Sequence, residues 1–247
     1  MTESIQAPVQ SLWIGPRLSA MERLCIRSFL ANGHEFHLFV YDDVSDVPAG
    51  TIIHDASEIL DRSRIFTYAG NGSVAGFANM FRYKLLLERG GWWVDLDVVC
   101  LRPFDFTGAC VFASEPGDGD GPLTSEVLTN AVLKCEAGSP FLEYVWGVCL
   151  EKDPSKLVWG ETGPRLVAEG VRKLGLESFV QPARIFCPVS FRDWRWLITP
   201  DSASGFDRDT RAVHLWHEMW RRADADKDKA YPAACPFERL KSRYPEL

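Results

Sequence analysis

A chain of 247 residues with 46% hydrophobic content is long enough for one large domain and apolar enough to bury a core, which sets disorder aside. Its 27 basic and 34 acidic side chains leave a formal charge of −7, which argues against nonspecific binding to a nucleic-acid backbone. No apolar run reaches transmembrane length, residues 1–10 lack the blocks of a signal peptide, and seven scattered cysteines without a C-x-x-C pair favour reduced thiols, so the expectation is a cytoplasmic protein with peripheral membrane contact left open.

Residues 11–15 read as a short strand closed by Gly15-Pro16, and 18–31 as a helix with Met21, Leu24, Cys25, Ser28 and Phe29 at core-facing spacing. Gly33 ends that helix. Residues 36–41 are an apolar run of strand length stopped by Asp42-Asp43, and 51–54 are a further strand candidate. This order predicts an α/β sheet with parallel character at its N-terminal side. Residues 68–75 form a glycine-rich loop, and 76–89 a helix that turns Phe77, Met80, Phe81, Leu85 and Leu87 inward and carries Arg82. Next come a strand at 110–113, a turn-rich stretch at 115–122 long enough to cover a site, and helices at 139–150 and 163–174, the second opened by Pro164. Beyond Phe179 the pattern is short, aromatic and proline-broken. A last strand at 212–216 leads into a charged segment, 221–229.

The segment that carries chemistry is Gly90-Gly91-Trp92-Trp93-Val94-Asp95-Leu96-Asp97-Val98-Val99. Two glycines stop the helix and permit its close approach to the next strand. Read as one strand, the apolar run places Asp95 and Asp97 on a single face. Two unpaired carboxylates among apolar neighbours repel each other and are poorly solvated, and a divalent cation is the simplest compensation. Oxygen ligands of this kind suit manganese or magnesium, and the pair points to the handling of a diphosphate. The plain alternative is a strand end with two solvent-facing aspartates.

The run from Ala78 through Arg82, Leu86, Gly90, Gly91, Asp95 and Asp97 to Pro103 resembles the glycosyltransferases with a D-x-D sugar-binding region. These include the yeast-type initiating mannosyltransferases and the α-1,4-galactosyl and N-acetylglucosaminyl transferases. Weaker matches lie in the expected order: the strand from Ser11, the one ending at Tyr41, Thr129-Asn130-Ala131, Glu161-Thr162-Gly163-Pro164 and Val213-His214-Leu215-Trp216. Two departures stand out. Ala78-Asn79 replaces the family's Ser-Asp, and the first strand offers Trp13 without the usual Ile-His-x-x-Trp arrangement.

The resemblance implies a GT-A-like fold, with a mixed, mainly parallel central sheet flanked by helices. It implies one domain over 1–247, in which 1–105 handles the nucleotide and 106–247 forms the acceptor side and lid. The implied activity is metal-dependent retaining transfer of a hexose or N-acetylhexosamine from a UDP- or GDP-type donor to a saccharide or glycolipid acceptor. Asp97 is then a direct ligand of manganese or magnesium, and Asp95 a ligand through water or a contact to ribose or sugar. His214 is the third ligand, with His217 competing. Arg82 would reach the diphosphate or else brace a buried ion pair with Asp95. Trp13 and Tyr41 would border the nucleobase; Asn79, Asn130 and Thr162 would contact sugar; Trp216 and Trp220 would belong to a lid. Two other readings stay open: a metal-dependent sugar-nucleotide hydrolase, and a non-catalytic nucleotide- or carbohydrate-binding module, to which the neutral Asn79 lends weight.

Overall fold

The computed structural model describes residues 7–70, 72–117, 126–200 and 205–246. The N-terminal unit is β1 (Val9–Trp13), α1 (Ala20–Ala31), β2 (Phe36–Val40) and β3 (Ile52–Asp55), with all three strands parallel. Helix α1 starts where it does because Ser19 and Glu22 form a reciprocal capping box. Next come α2 (Ala75–Arg89), β4 (Gly91–Val94), β5 (Val98–Cys100), β6 (Cys110–Pro116) and β7 (Glu126–Cys135). Then α3 (Pro140–Leu150), α4 (Pro164–Leu174), β8 (Val180–Gln181), α5 (Ala183–Phe186), β9 (Ala212–His214), α6 (His217–Arg222) and α7 (Pro236–Arg243) complete the chain.

The main sheet runs β3-β2-β1-β4-β7-β6-β8. It is mixed: β4 pairs antiparallel with β7 and β7 with β6, and the remaining pairings are parallel. Successive strand residues face opposite sides, and β4 shows what that does. Trp92 packs beneath α1 with Phe29 and Phe36, whereas Trp93 packs on the other side with Phe81 of α2 and Phe141 of α3. A second, two-stranded sheet pairs β5 with β9, over a third apolar cluster containing Val213, Trp220 and Phe237.

Two expectations need correction. Residues 126–135 form the ten-residue strand β7 at the heart of the sheet, where the sequence offered only the motif Thr129-Asn130-Ala131. The D-x-D segment is not one strand: β4 stops at Val94, and Asp95–Asp97 is a turn closed by the Val98 N–H donating to the Asp95 carbonyl at 3.0 Å. The turn is needed because β4 and β5 belong to different sheets. Of the stretch 115–122, Glu115 and Pro116 end β6, and 118–122 lie outside the described residues. All seven cysteines are free and buried. Among the described residues no helix is long and apolar enough to cross a membrane.

Gly90 and Gly91 set the approach to the turn. Both have positive φ, +64° and +91°, and a Cβ would fall 2.7 Å from the Ala137 nitrogen at the first and 2.9 Å from the Pro8 oxygen at the second. The backbones there touch, so no side chain fits without displacing main chain.

Candidate functional site

From β1 the chain steps to β2 and β3 on one side, then crosses through α2 to β4 on the other. The strand order therefore reverses between β1 and β4, and the crevice beyond their carboxyl ends is where open α/β sheets hold ligands. Leu12, Trp13 and Ile14 from the end of β1 and Asp95 from the end of β4 line a cavity of about 580 Å³ at that place.

Asp95 is 30% exposed at its side chain and is held by two donors. Arg82 Nη2 reaches its Oδ1 at 2.8 Å, and the Trp93 indole N–H donates to the same oxygen at 2.8 Å. The Arg82 side chain is 4% exposed; its other nitrogen donates to the Asn130 carbonyl, and its guanidinium carbon sits 4.8 Å from the Trp93 ring centroid. Arg82 thus holds Asp95 in place, and it also lines the cavity. Burial raises the Asp95 carboxyl above its ordinary value; the Arg82 charge opposes this and the neighbouring Asp97 adds to it.

Asp97 faces the second sheet. The register of β5 on β9 sets Val98 opposite His214, so the imidazole arrives beside the aspartate, with Nε2 and Oδ2 3.1 Å apart. The Leu215 N–H donates to the Asp97 carbonyl at 2.7 Å, and the His217 N–H to Oδ2 at 2.8 Å. Trp216 between them has φ +61° and ψ +51°, the left-handed region that side chains rarely adopt. That kink lets the chain address the Asp97 carboxylate twice, once from a side chain and once from the start of α6. Burial raises the Asp97 carboxyl, but the charge and hydrogen bond of His214 outweigh it and hold the group below the usual range. Burial likewise lowers His214, and the adjacent Asp97 overrides it and holds the imidazole well above its ordinary value.

Ligand atoms of Asp95, Asp97 and His214 all lie within 4.8 Å of one another. Two carboxylates and an imidazole are a donor set that suits a hard or borderline divalent cation, so these residues fit manganese or magnesium. Of the competing histidines, His214 brings its ring into the cluster, and His217 meets Asp97 through its backbone.

The remaining predicted residues divide. Trp13, Asn79 and Asn130 line the cavity. Asn79 accepts from the Asn130 amide at 2.7 Å and donates to the Thr162 hydroxyl at 3.4 Å, so its neutral amide joins a polar network at the cavity wall. Thr162 is fully buried behind that network and is not part of the wall. Tyr41 is not brought to the cavity: its hydroxyl donates to the Leu60 carbonyl at 2.7 Å and its ring packs against Phe77. Trp216 lines the cavity, whereas Trp220 is fully buried beneath it. The sequence reading missed Tyr68, Trp159 and Glu218, which also line the wall. Nothing in their local spacing distinguishes them, because they come from three separate segments.

Residues 20–111 match the family model of the glycosyltransferase sugar-binding region containing DXD motif. The resemblance to glycosyltransferases with a D-x-D sugar-binding region is therefore borne out, and Arg82, Asp95 and Asp97 fall inside the matched region. An alpha-1,4-N-acetylglucosaminyltransferase of Homo sapiens is 27% identical over 159 residues, a match covering 56% of this chain and 41% of that protein. The chain thus spans less than half the length of this curated relative. Among solved structures, the PaToxG glycosyltransferase aligns at 15% identity with a TM-score of 0.46, over 70% of this chain and 72% of that one. The galactosyltransferase LgtC in complex with donor and acceptor sugar analogs aligns at 11% identity with a TM-score of 0.40, over 91% and 85%.

Proposed function

We propose that this chain, whose residues 20–111 match a DXD-type glycosyltransferase sugar-binding region, transfers a hexose or N-acetylhexosamine from a nucleoside diphosphate sugar to a glycan or glycolipid hydroxyl. The transfer is metal-dependent and retains anomeric configuration. The observation that carries this reading is the convergence of Asp95, Asp97 and His214 at the crevice between β1 and β4, on the wall of a cavity of about 580 Å³. A divalent cation held there would offset the charge that gathers on the departing diphosphate.

The chain's own groups have distinct tasks. Arg82 is a positioning residue: it fixes the Asp95 carboxylate and ties it to the Asn130 backbone. Trp13 offers an apolar wall at the end of β1 for a nucleobase. Asn79 and Asn130 present amides to the sugar, with Thr162 holding Asn79 from behind. Residues 1–105 then serve mainly the nucleotide, and 106–247 the acceptor and lid.

Calorimetric titration with UDP and GDP, with and without manganese, tests the reading beside Asp97→Ala. Metal-dependent binding of one nucleotide, lost in the variant, is the expected result; no nucleotide binding under any metal condition would sink it. The uncharged Asn79 supports a second reading, a non-catalytic binding module. Metal-dependent binding without any donor turnover or acceptor modification would favour that module.

A further inference from the structure

The same cavity has an aromatic lip that the donor chemistry leaves unused. Trp159 lies in the connection between α3 and α4, is 41% exposed, and stands beside Val158 at 59%. It lines the cavity together with Tyr68, whose own ring is almost fully buried and packs against the indole with centroids 5.2 Å apart. The connection is pinned. Glu161 pairs with Lys152 at 2.7 Å and accepts from the Val158 N–H at 3.2 Å, so a fixed turn presents the indole.

Helix α6 supplies the polar side of this lip. The Arg222 guanidinium lies 5.8 Å from the Trp159 ring centroid. Glu218 accepts from Arg221 and Arg222, each at 2.8 Å, and Glu218 and Arg221 both line the cavity. The helix that carries them begins at His217, whose N–H holds Asp97. A partly exposed indole with the Arg222 guanidinium at its ring, itself bonded to Glu218, offers apolar surface and hydrogen-bonding groups together. That combination matches a pyranose, which has an apolar C–H face and a polar rim. Neither Trp159 nor Tyr68 belongs to the β4–β5 turn or to β9, which carry Asp95, Asp97 and His214.

We infer that Trp159, backed by Tyr68, is the stacking platform for a sugar ring of the acceptor, with Glu218 and Arg221 receiving its hydroxyls. This rests on the transferase reading for its purpose, but its test does not. Saturation-transfer NMR on the full chain, with lactose, N,N′-diacetylchitobiose and methyl α-mannoside as probes, reads the platform directly in wild type, Trp159→Ala and Trp159→Phe. Circular dichroism melts check that each variant folds, and titration with UDP and manganese runs in parallel.

At least one probe is expected to bind wild type, to bind the alanine variant about tenfold more weakly, and to recover partly in the phenylalanine variant. UDP binding is expected to be unchanged in both. No saturation transfer from any probe to wild type overturns the inference, as does equal binding to Trp159→Ala. Loss of UDP binding in Trp159→Ala also overturns it, by assigning the indole to the nucleobase. Saccharide binding through Trp159 without nucleotide binding under any metal condition would sink the transferase reading and leave the platform standing.

Discussion

A single carboxylate oxygen, Asp97 Oδ2, receives both the His217 N–H and the His214 ring. His214 is held above its ordinary value and Asp97 below, so each favours the charged form of the other. A divalent cation can use His214 only after displacing its proton. Manganese affinity is therefore expected to rise with pH through the raised His214 value and to release a proton. Calorimetry in buffers of different ionisation enthalpy measures that release, and pH-independent binding without it would remove His214 from the ligand set. In the metal-free protein the sign is opposite. The His214 contribution to stability is complete below its ordinary value of 6.5 and is lost as pH rises through the folded value. The Asp97 contribution is present above 3.8 and is lost as pH falls through its depressed value. Arg82 carries a separate prediction. Arg82→Ala strips Asp95 of its charged partner and leaves the Asn130 carbonyl unpaired, at a cost of about 2 kcal/mol by urea unfolding. Arg82→Lys should lose less, because one ammonium keeps the charge but cannot reproduce the fork.

At the level of elements, the double glycine between α2 and β4 gives the clearest contrast. Gly90 and Gly33 both have positive φ, but a Cβ at Gly90 strikes the Ala137 backbone at 2.7 Å, whereas nothing lies within 4 Å at Gly33. Gly33→Ala should cost about 1 kcal/mol from backbone strain alone. Gly90→Ala should cost clearly more in a denaturant melt and also weaken metal binding at the Asp95–Asp97 turn; equal losses would mean the backbone contact yields freely. The same region shows where the sequence was readable. The helix, the paired glycines and the spacing of Arg82, Asp95 and Asp97 are local, and local pattern finds local structure. The turn at Asp95–Asp97 carries no glycine or proline, and its flanks are apolar on both sides, so it reads as an unbroken strand. Strand β7 was hidden for the converse reason: Thr129 and Asn130 are buried polar residues serving the cavity, and they interrupt the apolar run that marks a central strand. Trp159 and Tyr68 meet only through tertiary packing, and His214 became a candidate through family resemblance rather than spacing.

For the whole molecule, the proposed cation site ties together parts of the chain that are far apart in sequence: Asp97 and His214 are separated by 117 residues. An ion that binds only this assembled arrangement stabilises the fold by mass action, by about 2.7 kcal/mol at a hundredfold excess over Kd. Manganese should raise the melting temperature of wild type and leave that of Asp97→Ala unmoved; equal shifts in both would place the ion elsewhere. The β5–β9 pairing has a further consequence, for the order of events in synthesis. Residues 7–100 carry Asp95 and Asp97, but β5 has β9 as its sheet partner, so the cluster stays incomplete until β9 has been made and docked. A chain that lacks β9 thus lacks both His214 and the strand that pairs with β5. An ion held by all three side chains would then require the C-terminal half to be docked.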